Sequence, residues 1–159
     1  MLKLNIQKDP YWITLPANVK VKVKPLGSAV MNLAQHQTIQ HLIEMQKDRK
    51  QRMAGGEDVS SFPDMENHAV RSSFSETLLT RALATIAIVE WEGVMQSEKD
   101  EPAELNEQNI LQLMDIWYVA DSFWKQYTKS VEILESEGNA SGLAANGISA
   151  AGQNTAASA

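Results

Sequence analysis

Regular alternation of valine and lysine near the amino terminus constrains the fold of this chain more than any other feature. Residues 19–24 read Val-Lys-Val-Lys-Val-Lys. Successive side chains of a strand point to opposite faces, so this pattern predicts a β-strand that buries its valines and exposes its lysines. Residues 11–15 form a second β-prone run, and the Pro-Ala-Asn sequence between the two runs favours a turn. We therefore predict a β-hairpin at residues 11–24.

Helices are predicted for most of the sequence that follows the hairpin. Ser28 can serve as the N-cap of a first helix that reaches about residue 53, where Gly55 and Gly56 end it. A second helix is predicted from near Pro63 to roughly Trp91, because its apolar residues recur at spacings of three and four. This second helix is expected to be the central helix of the core.

A start signal for a third helix is present in the sequence. The composition of the chain changes soon after a fourth predicted helix. Asn106 is suited to be the N-cap of the third helix, and a fourth follows from about Tyr118; the pattern leaves open whether these are two helices or one bent helix. Residues 138–159 carry no charge and consist almost entirely of small residues, which predicts a disordered tail. The predicted organisation is a mainly helical α+β interaction domain at residues 1–137, with a hairpin packed on about four helices.

Composition narrows the classes of function. The 159 residues have a net charge of -6, which disfavours binding to nucleic acid because the field of the protein repels phosphates. Cysteine is absent, so disulfides and thiolate chemistry are excluded, and an intracellular location is expected. The sequence shows neither a signal peptide nor an apolar run of the roughly 20 residues that span a bilayer. No membrane association is therefore expected.

Candidate catalytic or metal-binding groups lack the spacing that such chemistry requires. His36 and His41 are five residues apart, whereas zinc ligands on one helix are usually three or four apart. Glu90 and Glu92 fall within the predicted second helix, where neighbouring side chains point apart and do not form an acid–base pair. We therefore expect a protein that is not an enzyme and has no catalytic residue, metal or cofactor.

Aromatic and basic side chains are the better candidates for function, as contacts to a partner protein. The candidates are Trp12, Lys20, Lys22, Lys24, Trp91, Trp117 and Trp124. The lysines have two interpretations: the solvated face of an edge strand, where lysine discourages further sheet pairing, or a docking face for an acidic partner if they project beside an exposed Tyr11 or Trp12. The tryptophans are expected to anchor the core or an interface.

Three segments, taken in order, carry a resemblance to a known family. They are Tyr-Trp-Ile at residues 11–13, leading to Pro-Leu at 25–26; Ile-Val-Glu-Trp-Glu-Gly-Val at 88–94; and Leu-Asn-Glu-Gln-Asn-Ile at 105–110, running into Val-Ala-Asp-Ser-Phe at 119–123. A tail of Gly, Asn, Ser and Ala follows them. In this arrangement the chain resembles the tail assembly chaperones of long-tailed phages and prophages.

This resemblance implies a non-virion protein of the bacterial host cytoplasm. It would bind the tape measure protein, shield its apolar surfaces, and help tail tube protein to assemble around it, with self-association also open. The alternative is a structural component of the virion, such as a minor tail or head–tail joining protein.

The resemblance also implies that the gene can yield two products, because such chaperones are often made in two lengths by a minus-one ribosomal slip. Residues 137–139, Glu-Gly-Asn, can be encoded by GAG-GGA-AAC, which contains a slippery heptamer. We hypothesise a frameshift at this position.

Overall fold

The computed structural model describes residues 7–96 and 99–129. Its elements are β1 (Tyr11–Thr14), β2 (Lys20–Val23), α1 (Ser28–Ala54), α2 (His68–Ala87), β3 (Ile88–Glu92), α3 (Glu107–Met114) and α4 (residues 117–129). The predicted α+β class, with an amino-terminal hairpin and four helices, is confirmed. The predicted tail and the hypothesised frameshift position lie outside the described residues.

The hairpin forms as the alternation predicts. β1 and β2 pair antiparallel, with Ile13 opposite Val21, and the amide of Leu15 donates to the carbonyl of Val19 at 2.7 Å. Ala17 and Asn18 adopt positive φ angles of 59° and 61°, which lets the chain reverse within three residues. The valines of the strand are buried, as the alternation predicts.

A third strand replaces the end of the predicted second helix. α2 ends at Ala87, and β3 pairs antiparallel with β2, which makes β2 the central strand of a three-stranded sheet. Ile88 already has extended backbone angles of -72° and 121°. The prediction that this helix reaches Trp91 is therefore wrong, because the open edge of β2 gives residues 88–92 backbone partners that a helix would forgo. The start differs too, since Asn67 and not Pro63 opens α2 and its side chain accepts from two helix amides.

The N-cap of α1 lies one residue earlier than predicted, so the helix begins at Ser28 itself. Gly27 is the N-cap, with φ -111° and ψ 170°, and no side chain caps the helix, so the prediction of Ser28 as N-cap is wrong. The predicted end is confirmed: the amide of Gly56 donates to the carbonyl of Met53, and that of Glu57 donates to the carbonyl of Arg52. These two bonds form a Schellman motif, with Gly56 at the required positive φ of 75°.

The third and fourth helices are separate. Asn106 caps α3 as predicted, because its side chain accepts from the amide of Asn109 at 2.9 Å. α3 ends at Met114, residues 115–116 form a turn, and α4 starts at residue 117. This turn settles the question that the sequence pattern left open.

The core lies between one face of the sheet and helices α2, α3 and α4. Its fully buried large side chains are Val21, Val23, Leu83, Val119, Phe123 and Tyr127. Phe123 and Tyr127 stack with ring centroids 5.2 Å apart, and the hydroxyl of Tyr127 donates to the carbonyl of Lys24 at 2.9 Å. Each such side chain contributes roughly 1.5–3 kcal/mol through burial, so the sheet and α4 hold each other in place.

Candidate functional site

The lysines of β2 face away from the core and pair with glutamates of β3. Lys22 Nζ lies 3.1 Å from Glu90 Oε2, and Lys20 Nζ lies 3.8 Å from Glu92 Oε2. Because β2 is central, the interpretation of these lysines as an edge-strand feature is wrong. The glutamates lie on a strand and not on the predicted helix, so they share one face, and each is opposed by a lysine. Exposed pairs of this kind contribute at most about 1 kcal/mol each.

Trp12 joins this outer face of the sheet, and Lys24 differs from the other two lysines. The Trp12 side chain is 40% exposed, and Lys22 Nζ lies 5.7 Å from its ring centroid, within the range of a cation–π contact. Lys24 has an exposed side chain, while its backbone donates to the carbonyl of Ala87. The sheet face therefore carries mostly balanced charge, with one lysine already engaged by the aromatic ring.

Trp91 has a partner within the chain. It lies opposite Val21 on β3, packs against the core, and donates from its ring nitrogen to the carbonyl of Ala103 at 2.9 Å. This bond ties the loop after β3 to the sheet. Trp91 therefore stabilises the fold from the core side of the sheet. Trp12 lies on the solvent side of the same sheet.

Trp117 and Trp124 lie together, in a groove between α2 and α4 that we call the tryptophan groove. Its lining residues are Ser73, Glu76, Thr77, Leu79, Thr80, Arg81, Met114, Asp115, Trp117, Ala120, Asp121 and Trp124, and its volume is about 750 Å³. Trp124 is half-buried against the core, whereas Trp117 is 77% exposed. Of the seven candidate residues, these two are the pair that shares a concave surface.

The turn between α3 and α4 sets the position of Trp117. Asp115 occupies this turn and forms an ion pair with Arg81 of α2, which fixes the turn against the groove. Trp117 is then the first residue of α4 and projects outward, with its ring 5.9 Å from that of Tyr118 in an edge-to-face arrangement at 88°. Ile116 and Tyr118 are also exposed, so the amino-terminal end of α4 presents an apolar cluster to solvent.

An exposed tryptophan at the edge of a groove is a strong candidate for binding. A tryptophan can bury about 150–250 Å² on contact; at about 25 cal/mol per Å², covering the 77% of Trp117 that is exposed would contribute roughly 3–5 kcal/mol. Residues of this type dominate the energy of protein interfaces. Sequence reasoning identified Trp117 as an anchor of the core or of an interface, and it missed Ile116 and Tyr118 as exposed neighbours.

The described residues contain few features of other kinds of site. Within residues 7–96 and 99–129, no group of three or more His, Asp or Glu side chains could hold a metal ion. Over those same ranges, no helix is both long enough and apolar enough to cross a membrane.

Comparisons with known proteins add no relatives. No family model, no curated protein and no solved structure matches this chain.

Proposed function

We propose that this chain is a tail assembly chaperone of a long-tailed phage, with no enzymatic activity, and that it holds helical segments of the tape measure protein in the tryptophan groove. The exposure of Trp117 is the observation that carries the proposal. A groove between two helices, with an aromatic anchor at its rim, suits the apolar face of an amphipathic helix. The acidic charge of the chain would keep such a complex dispersed.

The segments that carry the family resemblance support this proposal through their positions in the fold. The first two segments supply β1 and β3, which flank the central strand, and the third supplies the cap of α3 and part of α4. They therefore build the sheet and the helix that carries Trp124. A chain sharing these segments would share the framework that positions the groove.

The other parts of the proposed role concern the gene and the cell. We place the protein in the host cytoplasm, absent from the mature virion, with a longer minus-one product also made. Sequencing the codons for residues 137–139 tests the longer product, because any codons other than GAG-GGA-AAC remove this slippery site. Mass spectrometry of purified particles tests the alternative: abundant peptides of this chain in the virion would favour a minor tail or head–tail joining protein.

Co-expression with the tape measure protein encoded by the same phage tests the binding role. We expect the chain to raise the soluble fraction of that protein and to co-elute with it on gel filtration. Trp117→Ala should weaken the complex by roughly 100-fold, since the loss of about 3 kcal/mol corresponds to that ratio. Trp12→Ala is the matched control, because Trp12 is also partly exposed but lies on the sheet.

The outcomes separate the function from the site. If the wild-type chain forms no complex and leaves the solubility of the tape measure protein unchanged, the chaperone role is refuted. If the complex forms and Trp117→Ala binds as tightly as Trp12→Ala, the role stands and the tryptophan groove is not where the helix binds.

A further inference from the structure

The tryptophan groove has more carboxylates than cations among its lining side chains. The lining includes three carboxylates, from Glu76, Asp115 and Asp121, and one guanidinium, from Arg81. The carboxylates come from both walls, because Glu76 belongs to α2 and Asp121 to α4, while Asp115 lies in the turn before α4. A helix bound in this groove would therefore meet a carboxylate on each side.

Ion pairs within the chain neutralise part of this charge. Arg81 is paired with Asp115. Lys125 lies 2.8 Å from Asp121, but it does not line the groove and its side chain is 67% exposed. Glu76 forms no ion pair with any residue in the ranges 7–96 and 99–129. Carboxylates therefore outnumber cations by three to two even when Lys125 is counted with the lining.

The exposed ring of Trp117 also favours a cation in the partner. The face of an indole ring attracts lysine and arginine side chains that come within about 6 Å of its centre. This chain already contains such a contact, between Lys22 and Trp12. In the part of the chain that the structure describes, no cation lies over the ring of Trp117. A lysine or arginine of a bound helix would have access to that ring.

The threonine hydroxyls on the α2 wall do not need a partner. The hydroxyl of Thr77 donates to the carbonyl of Ser73 at 3.0 Å, and that of Thr80 donates to the carbonyl of Glu76 at 2.9 Å. Because these hydroxyls are already bonded within their helix, covering them costs little. The carboxylates are therefore the polar groups that a partner has most to gain by contacting.

We propose that the tryptophan groove selects an amphipathic helix whose apolar stripe is flanked on both sides by lysine or arginine. The stripe would contact Trp117 and Trp124, while the flanking cations meet Glu76 on one wall and Asp121 on the other. This inference rests on the proposed function, because it specifies the flanks of the helix that the function places in the groove.

Two designed peptides test this selection on the full-length chain. Both have about three heptads with leucine at the core positions; the flanking positions are lysine in one peptide and glutamate in the other. In fluorescence anisotropy titrations, we expect the lysine peptide to bind at least ~10-fold more tightly, because it gains contacts with the carboxylates of both walls where the glutamate peptide is repelled. The preference should shrink as salt screens the charges.

Substitutions separate the groove from the general field of an acidic protein. Glu76→Gln with Asp121→Asn should bring the affinities of the two peptides to within ~3-fold of each other. Glu90→Gln with Glu92→Gln is the matched control, because it removes the same two charges from the outer face of the sheet, and it should keep the preference. All four side chains are exposed, so helicity measured by circular dichroism should stay unchanged.

Three results would overturn the proposal. The first is no saturable binding of the lysine peptide, or equal binding of the two peptides. The second is a preference that survives in Glu76→Gln with Asp121→Asn, or is lost equally in the sheet control, which would place the selecting charges outside the groove. The third is a dimer in light scattering that Trp117→Ala converts to a monomer, which would make a second copy the occupant.

These results are distinct from those that test the chaperone role. If the chain binds the tape measure protein but does not discriminate between the peptides, the role stands and the selection of basic flanks is refuted. If the chain prefers the lysine peptide as expected but does not bind the tape measure protein, the role is refuted and the selection by the groove stands.

Discussion

Gly93 follows β3 and lies against the hairpin turn, so a substitution at this position tests the packing between them. Its φ is 78°, and a Cβ built on it would lie 2.6 Å from the carbonyl oxygen of Asn18 and 3.4 Å from the Cα of Val19. The clashing atoms belong to the backbone, so no rotation of a side chain can relieve the contact. Gly93→Ala must therefore adopt a left-handed conformation and also push the strand away from the turn.

The expected cost has two parts. A left-handed alanine costs roughly 1–2 kcal/mol, and the forced shift of two packed backbone segments adds about 1–3 kcal/mol. We expect Gly93→Ala to lower the free energy of unfolding by about 3 kcal/mol, a large share of the 5–15 kcal/mol that is typical of a domain. Gly56→Ala is the matched control, because Gly56 has nearly the same φ, 75°, but nothing lies within 4 Å of its added Cβ.

Urea unfolding followed by far-UV circular dichroism measures both variants. The control should lose only the conformational part, about 1–2 kcal/mol, with the slope against urea unchanged. The difference between the two variants isolates the steric contact of Gly93 with the turn. If the two losses agree within about 0.5 kcal/mol, the close approach of β3 to Asn18 is refuted.

Three further changes probe single contacts. Gly27→Asp should stabilise the chain by about 0.5 kcal/mol, because α1 has no side-chain cap and no acidic residue in its first turn; an unchanged melting temperature would contradict this. Asn106→Ala should destabilise by about 1 kcal/mol through loss of the bond from the Asn109 amide, measured by urea unfolding. Burial raises the pKa of Tyr127, so the unfolded chain ionises first and the free energy of unfolding should fall above pH ~10 by about 1.4 kcal/mol per pH unit. Tyr127→Phe should flatten that slope, and an unchanged slope would show that the phenol is not buried.

Local sequence patterns were sufficient to predict the hairpin and several helix ends. The alternation in residues 19–24 has a period of two, and a one-residue shift would expose every valine, so the pattern determines which face is buried. Asn106 and Gly56 carry their signals within a few residues of the helix ends they form. These features were predicted because they depend only on residues that are close in sequence.

β3 could not be predicted in this way, because its conformation depends on a distant part of the chain. Residues 88–92 continue an apolar pattern that fits a helix, and short apolar runs are ambiguous between helix and strand. The unpaired edge of β2, more than sixty positions earlier, decides the outcome. The ion pair between Lys22 and Glu90 could not be predicted for the same reason, because it forms only when the two strands are neighbours.

In the candidate site, too, the residue types could be predicted from the sequence, whereas their exposure to solvent could not. Sequence reasoning selected Trp117 and Trp124 for their side chains, but their difference in exposure follows from the turn at residues 115–116 and from the pairing of Asp115 with Arg81. In a helix that continued without the turn, Trp117 would lie on the same face as Leu113 and Met114, which are buried. The turn converts one core position into an exposed anchor while Trp124, two turns later, stays against the core.

The spacing of apolar residues alone did not distinguish a helix surface that is buried in the core from one that stays exposed. α2 contains both kinds of surface: Leu78, Leu83, Ala84 and Ala87 are buried, while no residue of this helix before Leu78 is buried. Ser73, Glu76 and Thr77 from this earlier part line the tryptophan groove. In folded proteins, most of the stability of a helix comes from packing of its apolar face against other elements. The first half of α2 has no buried residue, so a helix bound in the tryptophan groove would supply packing that this half lacks in the described chain. This links the uncovered part of the fold to binding, since the half of α2 that has no buried residue also forms one wall of the tryptophan groove.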